Sequence, residues 1–135
     1  MQIDADQLRA FAERYTAAWN SQNSDNVASF FSPTGSLSVN GGSPAVGRKA
    51  IAEIALSFMT TFPDLKVAMI DLRTQADGAE YHWTLTGTNT GPGGTGYNVR
   101  ISGFEKWRIG VDGMIASSEG CFDADEYRRQ LAGEI

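Results

Sequence analysis

Residues 101–121, with the sequence ISGFEKWRIGVDGMIASSEGC, predict the β-hairpin around which the rest of the fold is arranged. Its strands are expected at 97–109 and 114–121. Asp112 and Gly113 between them form a strong turn signal, since this pair readily adopts the backbone angles of a tight hairpin. The second half of the chain is therefore expected to form an antiparallel sheet.

The first of these strands carries an acidic residue among apolar ones. Because side chains alternate along a strand, one face is shared by Ile101, Gly103, Glu105, Trp107 and Ile109. That face is apolar except for the carboxyl group of Glu105. Either this side chain points into the protein for a chemical reason, or a bulge shifts the register and the carboxyl group meets water or a neighbouring surface cation.

Helices are predicted mainly before this sheet, so the order of elements indicates an α+β fold. A short helix is expected to begin at Ser24 and to carry Phe30 and Phe31, with the SPTG sequence ending it. The glycine-rich segment 88–96 leads into a strand and not into a helix, which predicts a hairpin loop and not a phosphate-binding loop. The other predicted elements are helices at 5–20, 48–61 and 125–131, a short SLSV strand at 36–39, and strands at 65–73 and 80–88.

The composition is that of an ordinary globular domain. The chain has 135 residues, of which 41% are hydrophobic and 20% charged, and a net charge of -5. With no basic cluster, we expect no nucleic-acid partner. Cys121 is the lone cysteine, so no internal disulfide can form. We expect a soluble, cytoplasmic protein with one domain over 1–135 and no membrane partner.

Four segments in this order resemble the SnoaL-like polyketide cyclase branch of the nuclear transport factor 2-like superfamily. They are YTAAWNSQNSDNVASFF, GRKAIAEIALSFMTTFPDL, WTLTGTNTG and DGMIASSEGCFD. The resemblance implies a cone-shaped, curved antiparallel β-sheet, a half-barrel packed by three N-terminal helices and a short C-terminal helix. It also implies a cavity for a small apolar or carbonyl-containing molecule, acid–base chemistry without metal or organic cofactor, and a homodimer formed through the sheet face.

Two candidate catalytic residues follow from the resemblance to ketosteroid isomerases of this superfamily. Glu105 matches the position of their oxyanion-hole aspartic acid, and an apolar cavity would raise its pKa. Tyr15 matches the tyrosine that shares the oxyanion hole. The alternative for Tyr15 is a core residue with a satisfied hydroxyl group. The base of these isomerases falls on Ser38 or Asn40, neither of which takes a proton near neutral pH.

The cyclase branch implies an acid on the last strand instead. Glu119 is expected either to face the same cavity as Glu105 or to be an exposed edge residue. Asp123 matches the branch's recurrent aspartate, but its spacing to Glu126 also predicts a helix cap. Asn89 replaces the branch's histidine, so it could orient a ligand but not carry a proton.

Aromatic residues are expected to provide the apolar wall of the cavity. The sole histidine, His82, shares a face with polar threonines and is expected to point outward. One histidine and one cysteine do not make a metal site. The expected ligand-binding residues are Trp19, Phe58, Trp83, Asn89 and Trp107.

Two functions remain open from the sequence. The first is a cofactor-independent enzyme, an isomerase, cyclase, dehydratase or hydrolase, that uses cavity carboxyl groups as general acid or base. The second is a non-catalytic small-molecule-binding or assembly module of the same fold.

Overall fold

A computed structural model describes residues 4–134 and contains four helices within that range. α1 begins with the predicted capping box, in which Asp4 accepts from the backbone N–H of Gln7 and the Gln7 side chain accepts from the backbone N–H of Asp4. α3 follows Gly47, whose positive φ of 91° suits a residue without a side chain. The helices are α1 (Ala5–Asn20), α2 (Ser24–Ala28), α3 (Arg48–Thr61) and α4 (Ala124–Leu131).

Six strands form one curved sheet that does not close into a barrel. Their order across the sheet is β2-β1-β6-β5-β4-β3. All neighbouring pairs are antiparallel except β1 and β6, which are parallel. The α+β cone expected from the sequence is therefore confirmed. The strands are β1 (Phe31–Val39), β2 (Ala45–Val46), β3 (Lys66–Gln75), β4 (Gly78–Thr88), β5 (Asn98–Ile109) and β6 (Ile115–Phe122).

The prediction was wrong around the end of α2. Phe30 and Phe31 do not belong to the helix, and Phe31 is the first residue of β1. The SPTG sequence lies inside β1, where the pairing with β6 shifts register between Phe31 and Ser36. Pro33 is tolerated there because a residue in an irregular stretch need not donate to the ladder.

The concave face of the sheet and the helices enclose the core. The six residues of α1 that face the sheet are all buried, as the three-to-four spacing predicted: Leu8, Phe11, Ala12, Tyr15, Ala18 and Trp19. α3 buries Ile51, Ala55 and Met59, and leaves Ile54 and Phe58 half-buried. Within residues 4–134, no helix is both long and apolar enough to cross a bilayer.

Candidate functional site

Glu105 points into the protein, as the alternation along β5 predicted. Its side chain shares the inward face with Ile101 and Trp107, and only 7% of the residue is exposed. Arg100 and Lys106 lie on the opposite, exposed face of β5, so neither pairs with the carboxyl group. The alternative of a surface ion pair is therefore wrong.

Three neutral donors from three elements hold the Glu105 carboxyl group. The Tyr15 hydroxyl group on α1 donates to both oxygens, at 3.0 Å to Oε1 and 3.1 Å to Oε2. Ser118 Oγ on β6 and Trp107 Nε1 on β5 donate to Oε1, at 2.8 Å and 3.1 Å. Oε1 thus accepts three hydrogen bonds, whereas Oε2 shares only the one from Tyr15. The free acceptor capacity of the group lies on Oε2.

Burial sets the protonation of this group. Removal from water raises the pKa of Glu105, and the hydrogen bonds from Trp107, Ser118 and Tyr15 oppose that rise. Burial, reinforced by the negative charge of Glu105, raises the pKa of Tyr15 well above its ordinary value. Tyr15 therefore keeps its proton and remains a hydrogen-bond donor to Glu105.

Glu105 lines an apolar cavity of about 60 Å³ between the sheet and the helices. Because a water molecule needs about 10–15 Å³ of such space, there is room for roughly four waters or for a ligand group of a few heavy atoms. Among the described residues, Glu105 is the only carboxyl group in the lining. The lining consists of Trp19, Leu37, Val39, Ile54, Phe58, Val67, Tyr81, Trp83, Leu85, Ile101, Glu105, Gly120, Phe122 and Tyr127.

Three of the aromatic residues expected at the ligand, Trp19, Phe58 and Trp83, lie in this lining. Trp107 does not, because it lies behind the wall. Its ring stacks on Tyr81 at 4.9 Å with an interplanar angle of 12°. Its position as a ligand contact was therefore wrong, and its indole N–H holds Glu105 instead.

Sequence reasoning missed three aromatic residues of the lining, Tyr81, Phe122 and Tyr127. Tyr127 on α4 is half-buried, and its ring meets that of Phe122 at 5.4 Å. Burial raises the pKa of the Tyr127 hydroxyl group. Tyr127 and Leu131 are both partly buried against the core and lie four residues apart on an otherwise charged helix. That spacing is a signal that could have found Tyr127.

The two other acids expected at the site lie away from it. Glu119 is exposed and is paired across the strands with Lys106, so the expectation that it faces the cavity is wrong. The inward positions of β6 are Ser118 and Gly120, both buried. Asp123 caps α4 by accepting from the backbone N–H of Glu126 at 3.0 Å.

Asn89 also lies outside the cavity lining. It follows β4, is buried, and donates through Nδ2 to Thr95 Oγ1 at 3.1 Å within the hairpin loop. The structure therefore places Asn89 in the loop and not at the cavity, where it was expected to orient a ligand.

His82 lies on the face of β4 opposite Tyr81 and Trp83, as predicted, with Nε2 at 3.2 Å from Glu80 Oε1. In the described part of the chain, no three His, Cys, Asp or Glu side chains cluster in a way that could hold a metal ion. Ser38 and Asn40, on which the resemblance places the isomerase base, do not line the cavity, and the residues of β1 that do are the apolar Leu37 and Val39.

Comparison with known proteins identifies both the fold and the family of this chain. Among solved structures, TsrD from Streptomyces laurentii is similar over 98% of this chain and 99% of its own, with 20% identity and a TM-score of 0.83. AclR from Streptomyces galilaeus is similar over 96% and 83%, with 20% identity and a TM-score of 0.82. SalBIII, an epoxide hydrolase/cyclase-like enzyme in pyran ring formation in the polyether salinomycin, is similar over 91% and 95%, with 17% identity and a TM-score of 0.78.

At these identities the structural likenesses establish the fold alone. No curated protein matches the sequence. The family model for SnoaL-like polyketide cyclases matches residues 9–131, nearly the whole described range. The chain therefore belongs to the SnoaL-like polyketide cyclase family.

Proposed function

We propose that this protein binds a small, largely apolar molecule in the cone cavity and that Glu105 exchanges a proton with it. The observation that carries the proposal is the buried carboxyl group in an apolar lining, with free acceptor capacity on Oε2. The reaction class is a cofactor-independent isomerisation, cyclisation, dehydration or hydrolysis.

The hydrogen bonds assign different roles to the two carboxyl oxygens. Oε1 is occupied by three donors, so a proton on Glu105 belongs on Oε2. In that state the group is a general acid toward a carbonyl, ether or epoxide oxygen, and after ionisation it is a general base. The raised pKa brings these two states closer to neutral pH.

Tyr15 acts as a positioning residue in this proposal. Its hydroxyl group donates to both oxygens of Glu105, so it is not free to polarise a substrate carbonyl. This differs from the shared oxyanion hole expected from the resemblance to ketosteroid isomerases. Among the described residues, the cavity then offers Glu105 as its one acid.

The known activities of similar proteins support this chemistry in general terms. The family model is that of polyketide cyclases, and SalBIII is described as epoxide hydrolase/cyclase-like. Both descriptions are of ring-forming or ring-opening reactions, for which protonation of an oxygen by a single carboxyl group is a suitable step.

One observation favours the non-catalytic alternative. Val39 lines the cavity on β1, and among the described residues the lining holds no carboxyl group besides Glu105. A reaction that needs separate acid and base groups would lack one of them. In this second candidate function the cavity binds a small molecule without turning it over.

The test combines a carbon-13 NMR titration with turnover of small ketones and epoxides. We expect a raised pKa for Glu105, and loss of turnover in Glu105→Gln with the fold retained by circular dichroism. Glu119→Gln is the matched control, since it removes a carboxyl group from the other face of the neighbouring strand. Binding without turnover would favour the non-catalytic function. An ordinary pKa for Glu105 would contradict both the acid–base role and its physical basis.

The homodimer expected through the sheet face is also a proposal. On the outer face of β4 and β5, the rings of His82 and Phe104 lie 5.4 Å apart and both residues are only partly exposed. A partner on this face would cover them. Sedimentation equilibrium of the wild type and of His82→Glu would test it, with a monomer expected for the variant.

A further inference from the structure

We infer that the cavity ligand is a small organic cation, an alkylated ammonium group held between the Glu105 carboxylate and the aromatic walls. This inference rests on the proposed function, since it names the class of molecule that the same cavity takes. Three features carry it: the missing counter-charge of Glu105, the aromatic lining, and the commitment of every donor beside the carboxyl group.

The first feature is a buried acid without a cationic partner. All side-chain hydrogen bonds to Glu105 come from neutral groups, namely a phenol, an indole and a hydroxyl group. The ion pairs found among residues 4–134 lie elsewhere, and none includes Glu105. No Lys, Arg or His side chain of that range lines the cavity. An ionised carboxylate out of water is costly unless it is paired, and the ligand can supply the missing positive charge.

The second feature is the chemistry of the wall. Six aromatic residues line the cavity: Trp19, Phe58, Tyr81, Trp83, Phe122 and Tyr127. They contact one another edge to face, with Trp19 and Phe58 at 6.3 Å and Trp83 and Phe122 at 6.0 Å. Aromatic faces attract cations through their negative quadrupole, most strongly when the cation is desolvated and the ring is Trp. The rest of the wall is mainly aliphatic, so the attraction for a cation comes from the aromatic part of the lining.

The third feature argues against a neutral carbonyl compound as the preferred ligand. A carbonyl oxygen needs hydrogen-bond donors. The donors that surround Glu105 are Tyr15, Trp107 and Ser118, and each is already donating to the carboxyl group. Beside Glu105 a carbonyl group would find only the Glu105 proton, whereas an alkylated ammonium group brings its positive charge against Oε2, the oxygen that is bound by Tyr15 alone.

Size and overall charge agree with this class of ligand. A cavity of about 60 Å³ fits a head group of a few heavy atoms better than a fused-ring molecule. The net charge of -5 attracts cations and repels anions at long range.

The experiment uses tetramethylammonium, whose charge does not change with pH, and tert-butanol as a neutral probe of similar shape. Binding is measured by calorimetry, and the Glu105 carboxyl resonance is followed by carbon-13 NMR across a pH series. We expect tetramethylammonium to bind at least ten-fold more tightly than tert-butanol and to lower the pKa of Glu105. Its affinity should rise by up to ten-fold per pH unit below that pKa, because the carboxylate form binds the cation.

Variants separate the contribution of the Glu105 charge from that of the aromatic wall. Glu105→Gln keeps the shape of the side chain and should weaken tetramethylammonium binding at least ten-fold, while Glu119→Gln should leave it unchanged. Trp83→Leu should weaken it by about three-fold to thirty-fold through the lost cation–π contact. The pH dependence of the wild-type protein provides the same test without any substitution.

The outcomes distinguish this inference from the proposed function. Equal affinity for both probes, or a raised pKa of Glu105 in the tetramethylammonium complex, would overturn the cation assignment. If acetone binds and raises that pKa while tetramethylammonium does not bind, the ligand is a neutral acceptor and the proposed acid–base role stands. If no probe changes the Glu105 resonance, both the inference and the proposed function fail.

Discussion

Glu105 and Glu119 lie on neighbouring strands of one sheet, and their surroundings are opposite. Glu105 faces inward across from Gly120, is buried, and is bound by three neutral donors. Glu119 faces outward across from Lys106 and is exposed. The residue type is the same, so the difference comes from the face of the strand. Water solvates the carboxylate of Glu119 on the outer face. On the inner face there is little water around Glu105, and this burial raises the pKa of its carboxyl group.

The largest expected difference between the two faces is in stability. Glu105→Ala leaves the donors Tyr15, Trp107 and Ser118 without their acceptor in the protein interior. Since each unsatisfied buried donor costs about 1–3 kcal/mol, we expect the free energy of unfolding to fall by about 3 kcal/mol or more. Urea unfolding of Glu105→Ala beside Glu119→Ala measures this, and the second variant should stay within about 0.5 kcal/mol of wild type. If both variants lost a similar amount of unfolding free energy, the predicted difference between the inner and outer carboxyl groups would be wrong.

The next effect is the dependence of stability on pH. At low pH both the folded and the unfolded chain carry the Glu105 proton. As pH rises past the ordinary value for glutamic acid, the unfolded chain loses the proton first, because burial raises the pKa of Glu105 in the folded chain. The contribution of Glu105 to stability therefore decreases with rising pH until the raised pKa is passed.

The difference in stability between wild type and Glu105→Gln isolates this contribution. It is needed because Asp64, Asp112 and Glu126 have lowered pKa values and act in the opposite direction. Chemical denaturation from pH 4 to pH 8 should show the difference shrinking as pH rises. A difference that grows with pH would contradict the raised pKa of Glu105.

The smallest expected effect is that of removing the hydroxyl group of one of two adjacent serines of β6, Ser117 and Ser118. Ser118 donates to Glu105, whereas Ser117 lies on the outer face of the strand and is only partly buried. Ser118→Ala should raise the pKa of Glu105 further, because the lost bond favours the ionised form, and should cost about 1 kcal/mol of stability. Carbon-13 NMR titration and urea unfolding measure both quantities. Ser117→Ala should change neither, and an unchanged pKa in Ser118→Ala would show that this bond does not influence the acid.

Strong periodicity explains why much of the fold was predictable from the sequence. α1 and α3 have apolar stripes bounded by clear caps or breakers, and β5 alternates apolar and polar residues over most of its length. That alternation was enough to place Glu105 on the inner face. The SLSV part of β1 was predicted, but its first half was not, because Pro33 and Gly35 are local turn signals and this half forms through pairing with β6, which is distant in sequence.

The orientation of Glu119 shows where the sequence pattern fails. The inner residues of β6 beside the site are Ser118 and Gly120, and the outer ones are Ser117 and Glu119. Neither set is apolar, so period-two alternation gives no reason to prefer either face. The register is fixed by pairing with the neighbouring strands, since β5 joins Gly120 to Glu105 and β1 joins it to Val39.

Gly120 lies opposite Glu105 at a position where a small side chain would change the volume of the cavity. A Cβ atom there would lie 3.9 Å from Glu105 Cγ and 3.3 Å from the carbonyl oxygen of Ser38, which requires only a slight displacement. At Gly103, by contrast, a Cβ atom would lie 2.3 Å from the carbonyl oxygen of Cys121, so the backbone itself forbids a side chain. Relatives could therefore evolve different ligand sizes by gaining or losing one methyl group opposite the acid, without altering the acid or its donors.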